Sequence, residues 1–196
     1  MKLYLAGPDV FLPDAEVFGQ RKRELCARYG FIGLFPLDNE IAPDPGVRLS
    51  KAIFEANLAM IDAADAVVAN LTPFRGVSAD VGTVFEIGYG YATKKKVFAY
   101  SNVRTAYVER IRRLVGGEMR SGNDGRLYAT DGMAAENFDL FDNLMIAEAV
   151  RASGCDIVYP ATDPVDPWRD LTAFDECLRR IQAQTMQAPL HVQTAG

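Results

Sequence analysis

Asp65-Ala-Val-Val-Ala-Asn70, DAVVAN in one-letter code, has no polar residue between its ends. A strand with one wet face alternates apolar and polar side chains, whereas a run without alternation suits a strand covered on both faces. The neighbours agree with that reading. Upstream, Gly46 to Ala63 carries Val47, Ile53, Phe54, Leu58 and Ile61 on one side of a predicted helix. Downstream, Asp80 to Lys96 reads as another helix, and Val97 to Tyr100 as another apolar strand. Toward the N-terminus the same alternation continues. Lys2 to Ala6 is a strand, Asp14 to Tyr29 is a helix with Val17, Phe18, Leu25 and Cys26 that stops at Gly30, and Phe31 to Phe35 is a strand stopped by Pro36.

Strand and helix in strict alternation specify a parallel sheet wrapped on both faces, with right-handed crossovers. The fold class expected is therefore α/β, a doubly wound sheet of the flavodoxin or Rossmann kind with about five strands. Ile157 to Tyr159 supplies the last strand and Leu171 to Gln184 a closing helix. Between Tyr100 and that end, Arg104 to Leu114 reads as a basic helix and Leu140 to Ala152 as another. Gly116 to Asn137 is rich in Gly, Asn and Asp, and is expected either as a mobile loop or as a segment held by a partner chain. No internal repeat is present, and residues 1–196 are expected to form one domain. Ligands of such sheets sit at the carboxyl ends of the strands, which directs attention to Gly7-Pro8-Asp9, Asp38-Asn39-Glu40 and Asn70 to Asp80.

The composition narrows the chemistry. A net charge of -5 leaves no basic footprint for a nucleic-acid backbone or an anionic membrane surface. Cys26, Cys155 and Cys177 are odd in number and widely spaced, with no CxxC pair, so reduced thiols, a cytoplasmic location and no metal are expected. No apolar run approaches a membrane span, and no secretory leader is apparent. No GxGxxG follows the first strand, which disfavours a dinucleotide, and no cofactor is expected. The only histidine, His191, lies in an aperiodic tail expected to be poorly ordered. Histidine-based acid/base or Ser-His chemistry is thereby disfavoured, leaving carboxylates, tyrosines and amides.

Among the acids, Glu86 stands out in DVGTVFEIGYGYATKKK, residues 80–96. Gly82 and Gly90 lie four positions to either side of it, and each glycine costs up to about 1 kcal/mol against alanine inside a helix. They leave room for a ligand lying on Glu86, or they let the helix approach the sheet with Glu86 at the solvent edge. Gly88 is assigned to packing, and Lys94 to Lys96 to the helix C-terminus. Asp80 is an N-cap or a ligand contact, Asp38 and Asn39 turn residues or contacts, and Tyr4 a core tyrosine or a partner of an acid. Thr72 to Gly76 is a turn with Arg75 solvated, or an anion contact.

Five pieces in order, YLAGPDVF, FPLDNE, NLAMIDAADAVVANLTPFRG, DVGTVFEIGYG and DNLMI, resemble the nucleoside 2-deoxyribosyltransferases, especially the branch with an AGP start and a PFRG loop. The resemblance runs from residue 3 to about 147 and leaves 150–196 without a motif. It implies that Glu86 attacks the anomeric carbon of a 2'-deoxynucleoside, giving a deoxyribosyl ester that a second base resolves with retention. It further implies Tyr4 orienting that carboxylate and Asp80 binding sugar or base. Gly7, Phe11, Asp38, Asn39, Asn57 and Gly82 are implied near the substrate, and Asn143 with Met145 reach in from a neighbouring subunit of a homo-oligomer. Asn57 departs from the aspartate of many members, and an amide is no carboxylic proton donor. Two other readings stay open: hydrolysis of nucleosides or nucleoside 5'-monophosphates, and a non-catalytic nucleotide-binding module.

Overall fold

The computed structural model describes residues 1–39 and 46–187; Glu40 and the tail with His191 lie outside the described residues. Strands β1 (Lys2–Ala6), β2 (Ile32–Leu34), β3 (Ala66–Asn70) and β4 (Lys96–Tyr100) form one parallel sheet in the order β2-β1-β3-β4. All five residues of β3 are buried, as its lack of alternation requires for a strand paired on both sides.

The expected fifth strand is reduced to one parallel bridge between Val158 and Tyr100. Val158 N donates to Ala99 O at 2.9 Å and Ser101 N donates to Val158 O at 2.9 Å. The next donor in that ladder is Pro160, which has no N–H, so pairing stops.

Side chains of β1 alternate between two cores. Leu3 and Leu5 join Val68, Phe98 and Tyr100 against α1 (Ala15–Arg28) and α6 (Thr172–Gln187). Tyr4 and Ala6 face the other way, with Val67, Ala69 and Val97, toward α2 (Leu49–Ala63), α3 (Val81–Ala92) and α5 (Leu144–Ala152). The segment without a recognised motif is therefore core: Ala173, Phe174, Cys177, Leu178 and Ile181 of α6 are buried beneath β4.

Three expectations change. The apolar stripe of α2 is only partly buried, because Ile61 is covered while Val47, Leu49, Ile53 and Phe54 stay exposed. Residues 116–137, after α4 (Tyr107–Val115), close on themselves as an antiparallel sheet of β5 (Arg120–Ser121), β6 (Leu127–Tyr128) and β7 (Ala134–Ala135). Its first turn carries Gly125 at φ 77, a conformation that favours glycine. The third change concerns Gly90. A Cβ there would lie 2.7 Å from Val67 Cγ2 on β3, so this glycine sets how closely α3 approaches the sheet.

Gly90→Ala is expected to lower stability in chemical denaturation by about 1–3 kcal/mol through overpacking. Combined with Val67→Ala, the loss should be smaller than the sum of the two single effects, since the truncated valine vacates the clash.

Candidate active site

The second turn of α3 brings Glu86 onto the same side of the helix as buried Thr83, Ile87 and Gly90, which face the sheet. Tyr4 projects toward that helix from β1, and its hydroxyl donates to Glu86 Oε1 at 2.5 Å. The half-buried carboxylate is thus pointed inward, which removes the solvent-edge reading. Burial pushes the Glu86 carboxyl up to about 7, the Asp80 carboxylate pushes it the same way, and the Tyr4 hydrogen bond pulls it partly back. Burial, and then the Glu86 charge, hold the Tyr4 hydroxyl protonated well above its ordinary value. A hydroxyl that stays protonated therefore faces a carboxyl whose titration is moved up toward neutral pH.

Asp80 caps α3. Its Oδ2 accepts from Thr83 N at 2.9 Å and from Thr83 Oγ1 at 3.1 Å, and its charge also reaches Glu86. The glycines separate by role. A Cβ on Gly82 would lie 3.0 Å from Asp80 Oδ2, so Gly82 leaves space for the capping carboxylate. Gly90 makes room for Val67 rather than for a sugar, and Gly88, assigned to packing, has nothing within 4 Å of where its Cβ would be.

Sequence reasoning missed Asp142. Its buried carboxylate accepts from Ser78 Oγ, from Ala79 N at 3.0 Å and from Asn143 N at 2.8 Å, with Arg110 Nη2 at 3.7 Å. Burial nevertheless raises its pKa. It ties the entry to α3 to the entry to α5, and so relates Asp80 to Asn143. A buried acid next to a cap leaves no periodic signal.

The remaining candidates lie in the loops after β1 and β2, on α2 and at the start of α5. Gly7 is required by close approach: its Cβ would lie 2.8 Å from Asn70 Cβ and 2.9 Å from Asp9 Oδ2. Phe11 is exposed and stacks on Phe74, ring centroids 5.1 Å apart. Arg75 stays exposed, as expected of a solvated turn residue, and its guanidinium also lies over both rings, 4.7 Å from the Phe74 centroid and 5.6 Å from that of Phe11. Asp38 is occupied locally, accepting from Phe35 N at 2.9 Å and pairing with Arg23. Asn39 Nδ2 donates to Pro36 O at 3.1 Å and to Asn57 Oδ1 at 3.3 Å, bringing those two amides together. Asn143 Nδ2 donates to Glu136 Oε1 at 2.7 Å while its Oδ1 caps α5 through Met145 N at 3.0 Å. Met145 is 72% exposed. Among the described residues no group of three or more His, Cys, Asp or Glu is placed to hold a metal ion, and no helix is long and apolar enough to cross a membrane.

The sequence model of the family described as nucleoside 2-deoxyribosyltransferase matches residues 3–145, which include Tyr4, Asp80, Glu86 and Asn143. The chain belongs to that nucleoside 2-deoxyribosyltransferase family. A 2-desoxiribosyltransferase from Leishmania mexicana is similar over 91% of this chain and 97% of its own, at 29% identity and a TM-score of 0.60. An uncharacterized protein of Schizosaccharomyces pombe is 30% identical over 165 residues, covering 78% of each chain. A conserved protein from Enterococcus faecalis V583 shares the fold alone, at 19% identity and a TM-score of 0.53 over 92% of this chain and 98% of its own. By family this is an enzyme of the 2-deoxyribosyltransferase class, and the family implies nucleoside substrates.

Because the Glu86 carboxyl titrates near 7 when folded, against an ordinary value of 4.5, the folded chain binds more protons than the unfolded chain between those values. Its contribution to stability therefore declines as pH rises through that window. Glu86→Gln is expected to gain stability over the parent at pH 8 and little at pH 4, as read by thermal unfolding at both pH values.

Proposed function

We propose that the protein transfers a 2-deoxyribosyl group between nucleobases of 2'-deoxynucleosides, through an ester of Glu86 and with retention. The observation that carries this reading is the Tyr4–Glu86 hydrogen bond, which holds an inward-facing carboxylate by one oxygen. The other oxygen, Oε2, is then the nucleophile. It bonds to C1' as the N-glycosidic bond breaks; the bonding pair leaves with the base, which takes up a proton. A nitrogen of the incoming base then attacks C1' from the face that the first base left and gives up its proton to the group that protonated the leaving base, and Glu86 departs as a carboxylate. Two inversions give retention. A carboxylate with a pKa near 7 is more basic than an ordinary one, and the Tyr4 donor stabilises its charge on departure.

Proton delivery to the leaving base does not fall to Asn57, an amide paired with Asn39. Asp80, another carboxyl or solvent has that role. Gly7, Phe11, Asp38, Asn39 and Gly82 are assigned to the substrate's surroundings, at the strand ends where such sheets bind ligands.

In this reading the enzyme is a homo-oligomer. Support comes from an apolar groove of about 470 Å³ between α3 and α5, lined by Val84, Ile87, Gly88, Tyr91, Met145 and Ala149. A second copy seated there would cover the exposed Met145 and bring Asn143 of one subunit toward the sugar held by another. Excluding water in this way favours transfer over hydrolysis.

Incubation of the protein with deoxyinosine and adenine should yield deoxyadenosine and hypoxanthine, with kcat/KM falling as pH drops through about 7, where Glu86 becomes protonated. Glu86→Gln should lower turnover on the order of 10⁴-fold while nucleoside still binds. Free hypoxanthine with no new nucleoside, whichever base is supplied, would assign hydrolysis instead. No turnover by the parent, with nucleoside bound, would leave a binding module.

A further inference from the structure

Trp168 is the chain's only tryptophan, and it comes from the segment beyond residue 145, where the family match ends. Its ring meets the Phe74 ring edge-on, centroids 5.8 Å apart and planes at 82°. Phe74 in turn stacks on Phe11 at an interplanar angle of 10°. These residues come from three separate parts of the chain. Phe11 is in the loop after β1 and Phe74 in the loop after β3, the two neighbouring strands from which the chain leads to opposite sides of the sheet. That divergence is the switch point at which doubly wound sheets bind their ligands.

The loop that carries Trp168 is anchored on both sides. Asn102 Nδ2, just past β4, donates to Pro167 O at 2.8 Å and to Asp170 O at 2.9 Å. Arg169 Nη2 reaches Asp14 Oδ1 at 2.7 Å, at the start of α1. The indole is thus fixed against Phe74 by anchors just past β4 and at the start of α1, and Asn102 N in turn donates to Thr72 Oγ1 at 3.1 Å in the loop that carries Phe74. Phe11 is 55% exposed although the Arg75 guanidinium lies 5.6 Å from its centroid, and so leaves apolar ring surface open in the loop after β1.

We propose that Trp168 is a positioning residue for the nucleobase: it braces Phe74, and through it the Phe11 ring, as a stacking platform for the departing and arriving bases. The proposal rests on the transfer reading above and adds a task for the C-terminal segment. A planar base stacks on an aromatic face whatever its hydrogen-bonding groups, and a two-ring base covers more of that face than a one-ring base. Bracing therefore acts on base binding more than on chemistry at C1', and more on purines than on pyrimidines.

The single tryptophan is also its own reporter. Adenine added to the Glu86→Gln protein should change Trp168 emission saturably, with no turnover involved. Trp168→Ala should raise the KM for adenine as acceptor by about 2- to 10-fold, raise that for cytosine less, and leave kcat within about twofold; Trp168→Phe should restore most of the loss. An adenine KM unchanged in Trp168→Ala, or emission blind to adenine while the parent transfers normally, overturns the platform and leaves the transfer reading standing. Saturable emission changes in a protein that transfers nothing overturn the transfer reading and leave the platform standing.

Discussion

Asp9 is 1% exposed, and a carboxylate in that position needs a cation. Lys22, itself fully buried, supplies it at 2.6 Å from Oδ2, while Asn70 Nδ2 donates to Oδ1 at 2.8 Å. The same ammonium lies 4.8 Å from the centroid of Phe174 and 5.6 Å from that of Tyr100. One ion pair thereby joins the loop after β1, the helix α1, the end of β3, the end of β4 and the C-terminal helix α6. Removing one partner of such a pair costs about 3–5 kcal/mol, because the other charge is left buried and alone. The relative placement of the loops that carry Phe11 and Phe74 hangs on this joint, and Gly7 is glycine so that Asn70 and Asp9 can come together beneath it.

Above that joint, the site sets two forces on Glu86 against each other. Withdrawal from water favours the neutral acid, and the Tyr4 hydroxyl favours the carboxylate. The balance near neutrality suits the role proposed for Glu86, attack as an anion and later departure as one. It exists because β1 sends alternate side chains to opposite cores: a register slip of one residue would turn Tyr4 toward α1 and leave Glu86 buried without its donor.

Much of this was legible in residue patterns, and the rest was not for physical reasons. DAVVAN reports its burial on both faces directly, and the order of elements follows from the alternation of strand and helix. Glu86 was conspicuous because a charge between glycines in an apolar helix is costly. Lys22 and Asp142 were invisible: a lysine among Arg21 and Arg23, and an aspartate before a cap, look like solvated residues until tertiary packing closes over them. The glycines misled for a related reason, since only a neighbour in space distinguishes Gly90, pressed on Val67, from Gly88, open on an unpartnered face. Residues 116–137 looked irregular because strands of two residues are too short to show alternation. Trp168 had no local pattern at all, its meaning lying entirely in contact with Phe74.

In the proposed transfer Glu86 forms a bond with the sugar. Mass spectrometry of the protein quenched in acid after brief mixing with deoxyinosine, followed by peptide mapping, tests it most directly. A mass increase of one deoxyribosyl group is expected, confined to the peptide that holds Glu86, chased away by adenine and missing from Glu86→Gln. An adduct on another residue, or rapid transfer by a protein whose Glu86 peptide never gains mass, would contradict it.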